Sequence, residues 1–387
     1  MDVSSVISPA GRAFLQLQLC SDVGPIRTRR LIDHFGSIDA VLGASMTELQ
    51  RVEGIGPVIS ESIFKSRSNG AVEKEIDRAG ECGLRILSYG DDDYPEPLRH
   101  IPDPPICLYI KGIWRPTDAV AVAIVGTRKC SQYGREQAIR FGEILARAGF
   151  TIVSGLARGI DGYAHRGAIR GGGRTIAVLG NGLPQIYPSE HEALADEIVA
   201  CGSLISEIPL DVQPASENFP RRNRIIAGLS LGVVVVEAGR KSGALITARL
   251  ANEYNREVFA LPGRVDHPEQ TAGVNKLIRD GAAKLVTCLE DVLDELGQVG
   301  QIMARDVGAA SVQDDQTERA SNIPIQNLSE DERLIFGLLR EGVAEPDAFA
   351  HRTELNVSRV MATLTSLQLK GLVRQLPGTR FECRVPG

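Results

Sequence analysis

Cysteine is scarce and scattered: Cys20, Cys82, Cys107, Cys130, Cys201, Cys288 and Cys383 are seven in number and never form a C-x-x-C pair. An odd count at such distances supports neither a disulfide framework nor a zinc site, so the thiols are expected to be reduced and mostly buried. No stretch approaches the roughly 20 apolar residues of a membrane span. The opening segment MDVSSVISPAGR has no basic-then-apolar leader pattern, which predicts a cytoplasmic chain with no membrane partner. Also missing are G-x-G-x-x-G, G-K-[ST] and any cluster of histidines and carboxylates at metal-ligand spacing. The parts of an NTPase, a dinucleotide-dependent enzyme and a metallohydrolase are absent, and neither a cofactor nor a metal is expected.

What is present describes a soluble globular chain of 387 residues, 43% apolar and 24% charged, long enough for two or three domains. Its net charge of -6 is unevenly spread. Residues 1–110 hold 11 basic and 16 acidic side chains, whereas residues 111–297 hold 22 and 21. Residues 128–174 carry nine Lys or Arg against Glu136, Glu143 and Asp161, and residues 190–211 carry six acids and no Lys or Arg. An acidic protein can thus present a locally basic face, whose grip on a polyanion weakens with salt.

The middle of the chain alternates strand and helix signals. Residues 119–125, 150–153, 175–179, 203–205, 231–236 and 257–261 are short apolar runs bounded by Gly or Pro, with helical spacing between them, as in 132–148 and 162–169. Continuous apolar strands of this kind belong to a parallel sheet covered on both faces, so residues 83–297 are expected to form a doubly wound, Rossmann-like α/β domain. Ahead of it, residues 1–82 read as a small helical domain. VGPIRTRRLIDHFGS (23–37) and VEGIGPVISESIF (52–64) form a degenerate pair of helix-hairpin-helix (SAM-like) units. Hairpin amides in such units can hold a phosphate, but the acidic charge here favours a bundle that packs on its neighbour. Residues 90–105 are a proline-rich connector, ordered or extended. Residues 298–328 are polar and read as a flexible linker. Residues 329–387 then read as helices at 329–339 and 357–369, with Val360, Leu364 and Leu367 on one face, and a hairpin around Pro377-Gly378. That order suggests a winged helix. Arg359 and Lys370 are the cations of its recognition position, among neutral polar residues that suit a protein-interaction module equally well.

The run Asn218-Phe219-Pro220-Arg221-Arg222-Asn223-Arg224 sets three guanidiniums at the start of a helix. The positive end of the helix dipole disfavours cations there unless an anion offsets them, and phosphate is the expected anion. Arg221 and Arg224, three apart, share a face, and Ile225, Ile226 and Leu229 point to the core. One of the arginines is expected to pair with Glu217 or Glu237. Three further segments lie at the carboxyl ends of strands, where open sheets bind ligands. They are Gly126-Thr127-Arg128 with Ser131, the stretch Ser154-Gly155-Leu156-Ala157-Arg158-Gly159-Ile160-Asp161, and Ser242-Gly243 through Thr247. Their glycines let backbone amides approach an anion. Asp161 reads as a helix cap and His165 as a core imidazole.

Taken in order, these motifs resemble the DprA/Smf family of DNA-processing proteins. The resemblance spans about residues 85–295, through YPEPL (94–98), AIVGTRKCSQYG, SGLARGIDGYAH, LGNGLPQIYPSEH, SEIPL, NFPRRNRIIAGLS, SGALITA and LPG. It implies binding of single-stranded DNA without sequence preference, loading of the RecA recombinase onto it, a role in natural transformation (competence) or recombination, and a homodimer formed through the α/β domain. Carried over by residue, Arg128 and the Gly126 and Thr127 amides would contact phosphate, and Ser154, Gly155 and Gly159 would shape the groove. Arg221, Arg222 and Arg224 would hold further phosphates, with Asn223 fixing the loop. Phe219 would offer a stacking face, or pack as a hydrophobic staple. Lys241 and Ser242 would close the rim.

Two other classes compete. Rossmann-like hydrolases of nucleoside monophosphates resemble the architecture but use a turn G-G-x-G-T-x-x-E, and here Leu250 stands three past Thr247 where the glutamate would be. No catalytic carboxylate is expected, and the chain is read as a binder rather than an enzyme. The third class is a protein-interaction scaffold whose end domains recruit partners.

Overall fold

Short runs of Val, Ile and Ala, cut off by glycine before they can extend, become the central strands of a single nine-stranded sheet. The computed structural model describes residues 6–297, 299–300, 303, 328–340, 346–353, 355–369, 372–376 and 380–383. The chain divides into two compact units, Met1–Val292 and Leu293–Gly387.

In the first unit the strands are β1 (Arg85–Ser88), β2 (Cys107–Gly112), β3 (Ala121–Val125), β4 (Thr151–Ser154), β5 (Thr175–Val178), β6 (Ser203–Ser206), β7 (Gly232–Val235), β8 (Glu257–Ala260) and β9 (Lys284–Leu285). They lie in the order β1-β2-β6-β5-β4-β3-β7-β8-β9. From β6 to β9 every pairing is parallel, and β1 and β2 close one edge antiparallel. Strands β3 to β7 are buried along their whole length, which explains why their sequences run apolar instead of alternating. The start of β3 falls at Ala121 because Pro116–Ala119 forms a 3-10 turn, anchored by the fully buried Asp118 against Arg174 at 2.6 Å.

Among the described residues, helices α1 (Pro9–Gln18), α2 (Pro25–Phe35), α3 (Ile38–Gly43), α4 (Met46–Leu49), α5 (Pro57–Ser66) and α6 (Ala71–Glu81) come before β1. The two hairpin units are real repeats in geometry: Gly24-Pro25 and Gly56-Pro57 occupy the N-cap and first helical position of α2 and α5. Val23, Leu31, Ile55 and Ile63 fill their shared core. Helices α1 and α6 instead bury Leu15 and Ile76 with Ile86, Tyr109 and Leu204 of the sheet, so the helices and the sheet are one compact unit. The proline-rich connector is ordered: it holds α7 (Glu96–Arg99), and the buried Tyr94 donates its hydroxyl to the Pro105 carbonyl at 2.8 Å.

Helices α8 (Gln132–Arg147), α9 (Ile160–Arg170) and α10 (Glu192–Cys201) connect β3 to β6. Helices α11 (Asn218–Leu229), α12 (Ala244–Glu253), α13 (Pro268–Arg279) and α14 (Leu289–Glu295) follow in turn. Right-handed crossovers place the first set on one face, and the reversal after β6 places α11 and α12 on the other. α8 and α9 pack closely because Gly142 has no side chain: a Cβ there would sit 2.5 Å from the Ala164 carbonyl.

The second unit contains α15 (Glu330–Arg340), α16 (Pro346–Thr353), α17 (Val357–Leu369) and the antiparallel hairpin β10 (Val373–Leu376) with β11 (Arg380–Cys383). Ser329 and Glu332 cap α15 reciprocally, and Val360, Leu364 and Leu367 are fully buried with Phe349 and Phe381. Arg359 pairs with Asp331 at 2.6 Å. Lys370, the Pro377-Gly378 turn and nearly all of the 298–328 linker lie outside the described residues. Among the described cysteines only Cys20 and Cys107 are buried, and the other four are half-buried, which corrects the expectation of mostly buried thiols.

Candidate functional site

Strands β4, β5 and β6 are added on one side of β3 and β7 on the other, so the connections reverse between β3 and β7. Such a switch point leaves a crevice beyond the carboxyl ends of the two strands. Here it is a cleft of about 860 Å³. Gly126 to Lys129 follow β3 and form one wall; Gly239 to Thr247 lead from β7 into α12 and form another. The N-terminal turns of α11 supply Phe219, Pro220, Arg222 and Asn223.

The rim is cationic. Arg128, Lys129, Arg240 and Lys241 are exposed, and no carboxylate among the described residues lies within ion-pair distance of any of them. The Arg128 guanidinium sits 5.3 Å over the Phe219 ring, and the Tyr187 ring lies 5.6 Å from Phe219 at an interplanar angle of 30°. Two aromatic faces and a guanidinium therefore meet at the mouth of the cleft. The loop after β3 is latched to the end of β7: the Thr127 amide donates to the Glu237 carbonyl at 2.7 Å, and the Ser131 amide and hydroxyl donate to the Glu237 carboxylate.

The floor buries a guanidinium and a carboxyl, Arg222 and Asp161, each within the other's field. Arg222 is 5% exposed and donates to the carbonyls of Gly155, at 2.7 Å, and Val178, at the ends of β4 and β5. Burial lowers its pKa to about 10, against the opposing pull of Asp161. Asp161, at the second position of α9, is pushed up to about 6 by burial, although Arg222 and the amides of Ala157 and Gly155 favour its charged form. It is thus not the cap of α9, a place taken by Gly159. A Cβ at Gly155 would stand 2.5 Å from the Arg222 guanidinium and would have to displace it. His165 is fully buried against the Thr175 hydroxyl at 2.7 Å, and burial takes its pKa down to about 3, as a core imidazole requires.

Of the residues singled out in sequence, Gly126, Thr127, Arg128, Phe219, Arg222, Asn223, Lys241, Ser242, Gly243 and Thr247 line the cleft, and Gly155 lines a small recess beside it. Asn223 braces the rim through the Gly243 carbonyl at 3.4 Å. Ser131, Ser154, Gly159, Arg221 and Arg224 do not line it. Ser131 caps α8, the buried Ser154 hydroxyl donates to the Ile124 carbonyl at 2.6 Å, and Gly159 takes the positive φ of 76° that starts α9. The Thr127 amide is already used within the fold. Arg224 is buried against Glu207 and Asp103, not Glu217 or Glu237. Arg221 faces the opposite side of α11 with it. Sequence reasoning passed over Lys129, Arg240 and Tyr187 as site residues. The first two neighbour residues it named, and an aromatic in the loop before Pro188 was the available signal for the third. It expected no catalytic carboxylate three past Thr247 and read Asp161 as a helix cap, whereas Asp161 and Glu269 both line the cleft.

Comparison with known proteins agrees with this architecture. Residues 85–297 match the family profile of DNA recombination-mediator protein A, residues 319–379 that of the DprA winged helix domain and residues 20–73 that of a helix-hairpin-helix motif. Protein Smf of Synechocystis is 37% identical over 94% of this chain and 96% of its own length. Protein Smf of Escherichia coli is 43% identical over 81% of this chain and 82% of its own. The X-ray structure of DNA processing protein A (DprA) from Streptococcus pneumoniae superposes with a TM-score of 0.66 at 34% identity, covering 73% of this chain and 97% of that one.

Proposed function

Because the chain belongs to the DprA/Smf family, we propose that it binds single-stranded DNA in the cleft between β3 and β7, without sequence preference, and passes the strand to a RecA-type recombinase in DNA uptake or recombination. The observation that carries the reading is the stack of Arg128 on Phe219 beside Tyr187, inside a rim of cations without ion-pair partners among the described residues. Aromatic faces accept any base, and guanidiniums and ammoniums follow the phosphates, a combination suited to an unpaired strand. Arg128, Lys129, Arg240 and Lys241 take the phosphates, Phe219 and Tyr187 stack bases, and Arg222 sets the potential of the floor. The relatives' names, DNA processing protein and recombination mediator, support DNA as the substrate class. The reading includes a cytoplasmic homodimer that sets two clefts on one strand, raising avidity without new contacts.

The test is fluorescence anisotropy of short oligonucleotides over a salt series, with wild type, Arg128→Ala and Lys241→Ala. Each substitution is expected to lower affinity and reduce the salt slope by about 0.7. Unchanged slopes in both variants, or salt-insensitive binding by the wild type, would remove the proposal. Filament formation by RecA on protein-coated single strands, measured against naked strands, tests the hand-over.

One observation favours a second reading, hydrolysis of a nucleotide in the same cleft: a buried carboxylate at Asp161 with its pKa near 6. Release of free base from nucleoside monophosphates, lost on Asp161→Asn, is the result that would establish it.

A further inference from the structure

Helices α11 and α12 each turn a second face away from the cleft just described, and these faces border another. Pro220, Arg221 and Arg224 of α11 and Ile246, Arg249 and Leu250 of α12 face the hairpin turns of the N-terminal helices across a groove of about 690 Å³. On the far wall stand Arg27 and Arg30 of α2, with Gly24 and Gly54 of the two turns.

Five arginines line this groove against one carboxylate, Asp103. Arg224 is neutralised by Asp103 and Glu207. Arg27 donates only its Nε and Nη1 to the carbonyls of Gly54 and Asp22, which leaves guanidinium hydrogens free for an anion, and neither it nor Arg221 has an ion-pair partner among the described residues. Among the described residues the carboxylate partner of Arg249 is the exposed Glu253, at 3.5 Å, and that of Arg30 the exposed Glu53, at 3.6 Å; such pairs hold little energy in water. Between the cations the lining is apolar: Ile26, 55% exposed, with Ile246, Leu250 and Tyr254. Pro220 borders both grooves, so a chain leaving the first over the tip of α11 enters the second directly.

We propose that the groove between the α2 and α5 turns and the α11–α12 pair is a second DNA track, which takes the same single strand onward from the first cleft. Arg27, Arg221 and Arg249 hold its phosphates, and the apolar lining takes the faces of its bases. The shared Pro220 edge and the alternation of cation and apolar surface fit a nucleic-acid strand better than an acidic peptide, whose carboxylates need cations alone. This rests on the single-strand reading of the first cleft.

The experiment uses the full-length protein with oligothymidylates of about 6 and about 20 nucleotides, since single-strand modules cover roughly 4–16 nucleotides each. Arg221→Gln/Arg249→Gln is expected to leave the 6-mer affinity unchanged, to weaken the 20-mer roughly tenfold at 0.15 M salt, and to reduce its salt slope by about 1.4. Arg249→Glu alone, at a 69% exposed side chain that the fold does not need, should act in the same direction. Arg128→Ala run in parallel separates the two readings. Loss of 6-mer binding there, with a 20-mer unaffected by Arg221→Gln/Arg249→Gln, overturns the second track and spares the first; an unaffected 6-mer overturns the first-cleft reading on which the track depends. Equal loss for both lengths in Arg221→Gln/Arg249→Gln, or displacement of the 20-mer by polyglutamate at equal charge, also overturns the second track.

Discussion

Asp161→Asn should change how stability depends on pH, and in the direction opposite to an ordinary ion-pair carboxylate. In the fold Asp161 is buried, and burial raises its pKa from 3.8 to about 6 despite the neighbouring Arg222. Between these two values the folded chain keeps a proton that the unfolded chain releases, so the folded state binds more protons. Stability contributed by this group is therefore fully present below pH 3.8 and is lost as the pH rises to about 6. The shift of about two units corresponds to roughly 3 kcal/mol. Asparagine cannot ionise, so the stability of Asp161→Asn relative to wild type should climb by on the order of 3 kcal/mol between pH 4 and pH 7, whatever its offset from the lost partner of Arg222. Urea unfolding at a series of pH values measures this. Trp114, the only tryptophan, packs against the sheet core of the first unit and reports on that unit alone. A difference that stays flat with pH, or falls as the pH rises, would mean that the attraction of Arg222 outweighs burial, and the reasoning would be refuted. The same ionisation faces the DNA cleft, so wild-type affinity for a short oligonucleotide should tighten as the pH falls through 6, and that trend should vanish in Asp161→Asn.

Phe219→Ala should cost about 1–3 kcal/mol of oligonucleotide affinity by loss of stacking, and Phe219→Tyr should restore most of it; isothermal titration that finds Phe219→Leu equal to wild type would reduce the ring to a packing role. Gly155→Ala forces a methyl against the Arg222 guanidinium, and overpacking of this kind costs about 1–3 kcal/mol, read from the Trp114 unfolding midpoint. Arg224→Met leaves Glu207 and Asp103 without their partner, so a loss of about 3–5 kcal/mol in stability is expected; selective loss of DNA binding with an unchanged midpoint would contradict the burial of this arginine. A chain of residues 1–297 should keep the unfolding transition and short-oligonucleotide affinity of the full protein, because the second unit closes its own core around Phe349, Val360 and Phe381.

The fold was legible because its signals are local. Strands β3 to β8 follow from apolar runs bounded by glycine or proline, and the caps of α2, α5, α8 and α15 follow from Gly-Pro pairs and serines at fixed offsets. Helical spacing also separated the arginines correctly, with Arg221 and Arg224 on one face and Ile225, Ile226 and Leu229 in the core. It was silent on what each face would meet.

Arg222 finds the Val178 carbonyl 44 residues back and the Gly155 carbonyl 67 residues back, and both wait there only because β4 and β5 end side by side. Arg224 meets Asp103 because the proline-rich connector folds under α11, across 121 residues of sequence. A run of three arginines at a helix start therefore supports two outcomes that the run itself does not distinguish: cations held out for an anion, or cations drawn in by carbonyls and carboxylates from distant loops. Burial decides between them residue by residue. It internalises Arg222 and Arg224, where each guanidinium costs several kcal/mol to desolvate and must be matched by the fold. It leaves exposed only Arg221, and hands the rim of the first cleft to Arg128, Lys129, Arg240 and Lys241, of which the motifs had grouped only Arg128 and Lys241. The electrostatic oddity that marked α11 is thus resolved mostly inside the protein, by strand-end carbonyls that point at the helix, and the cations free for a polyanion come from the loops that those same strand ends release.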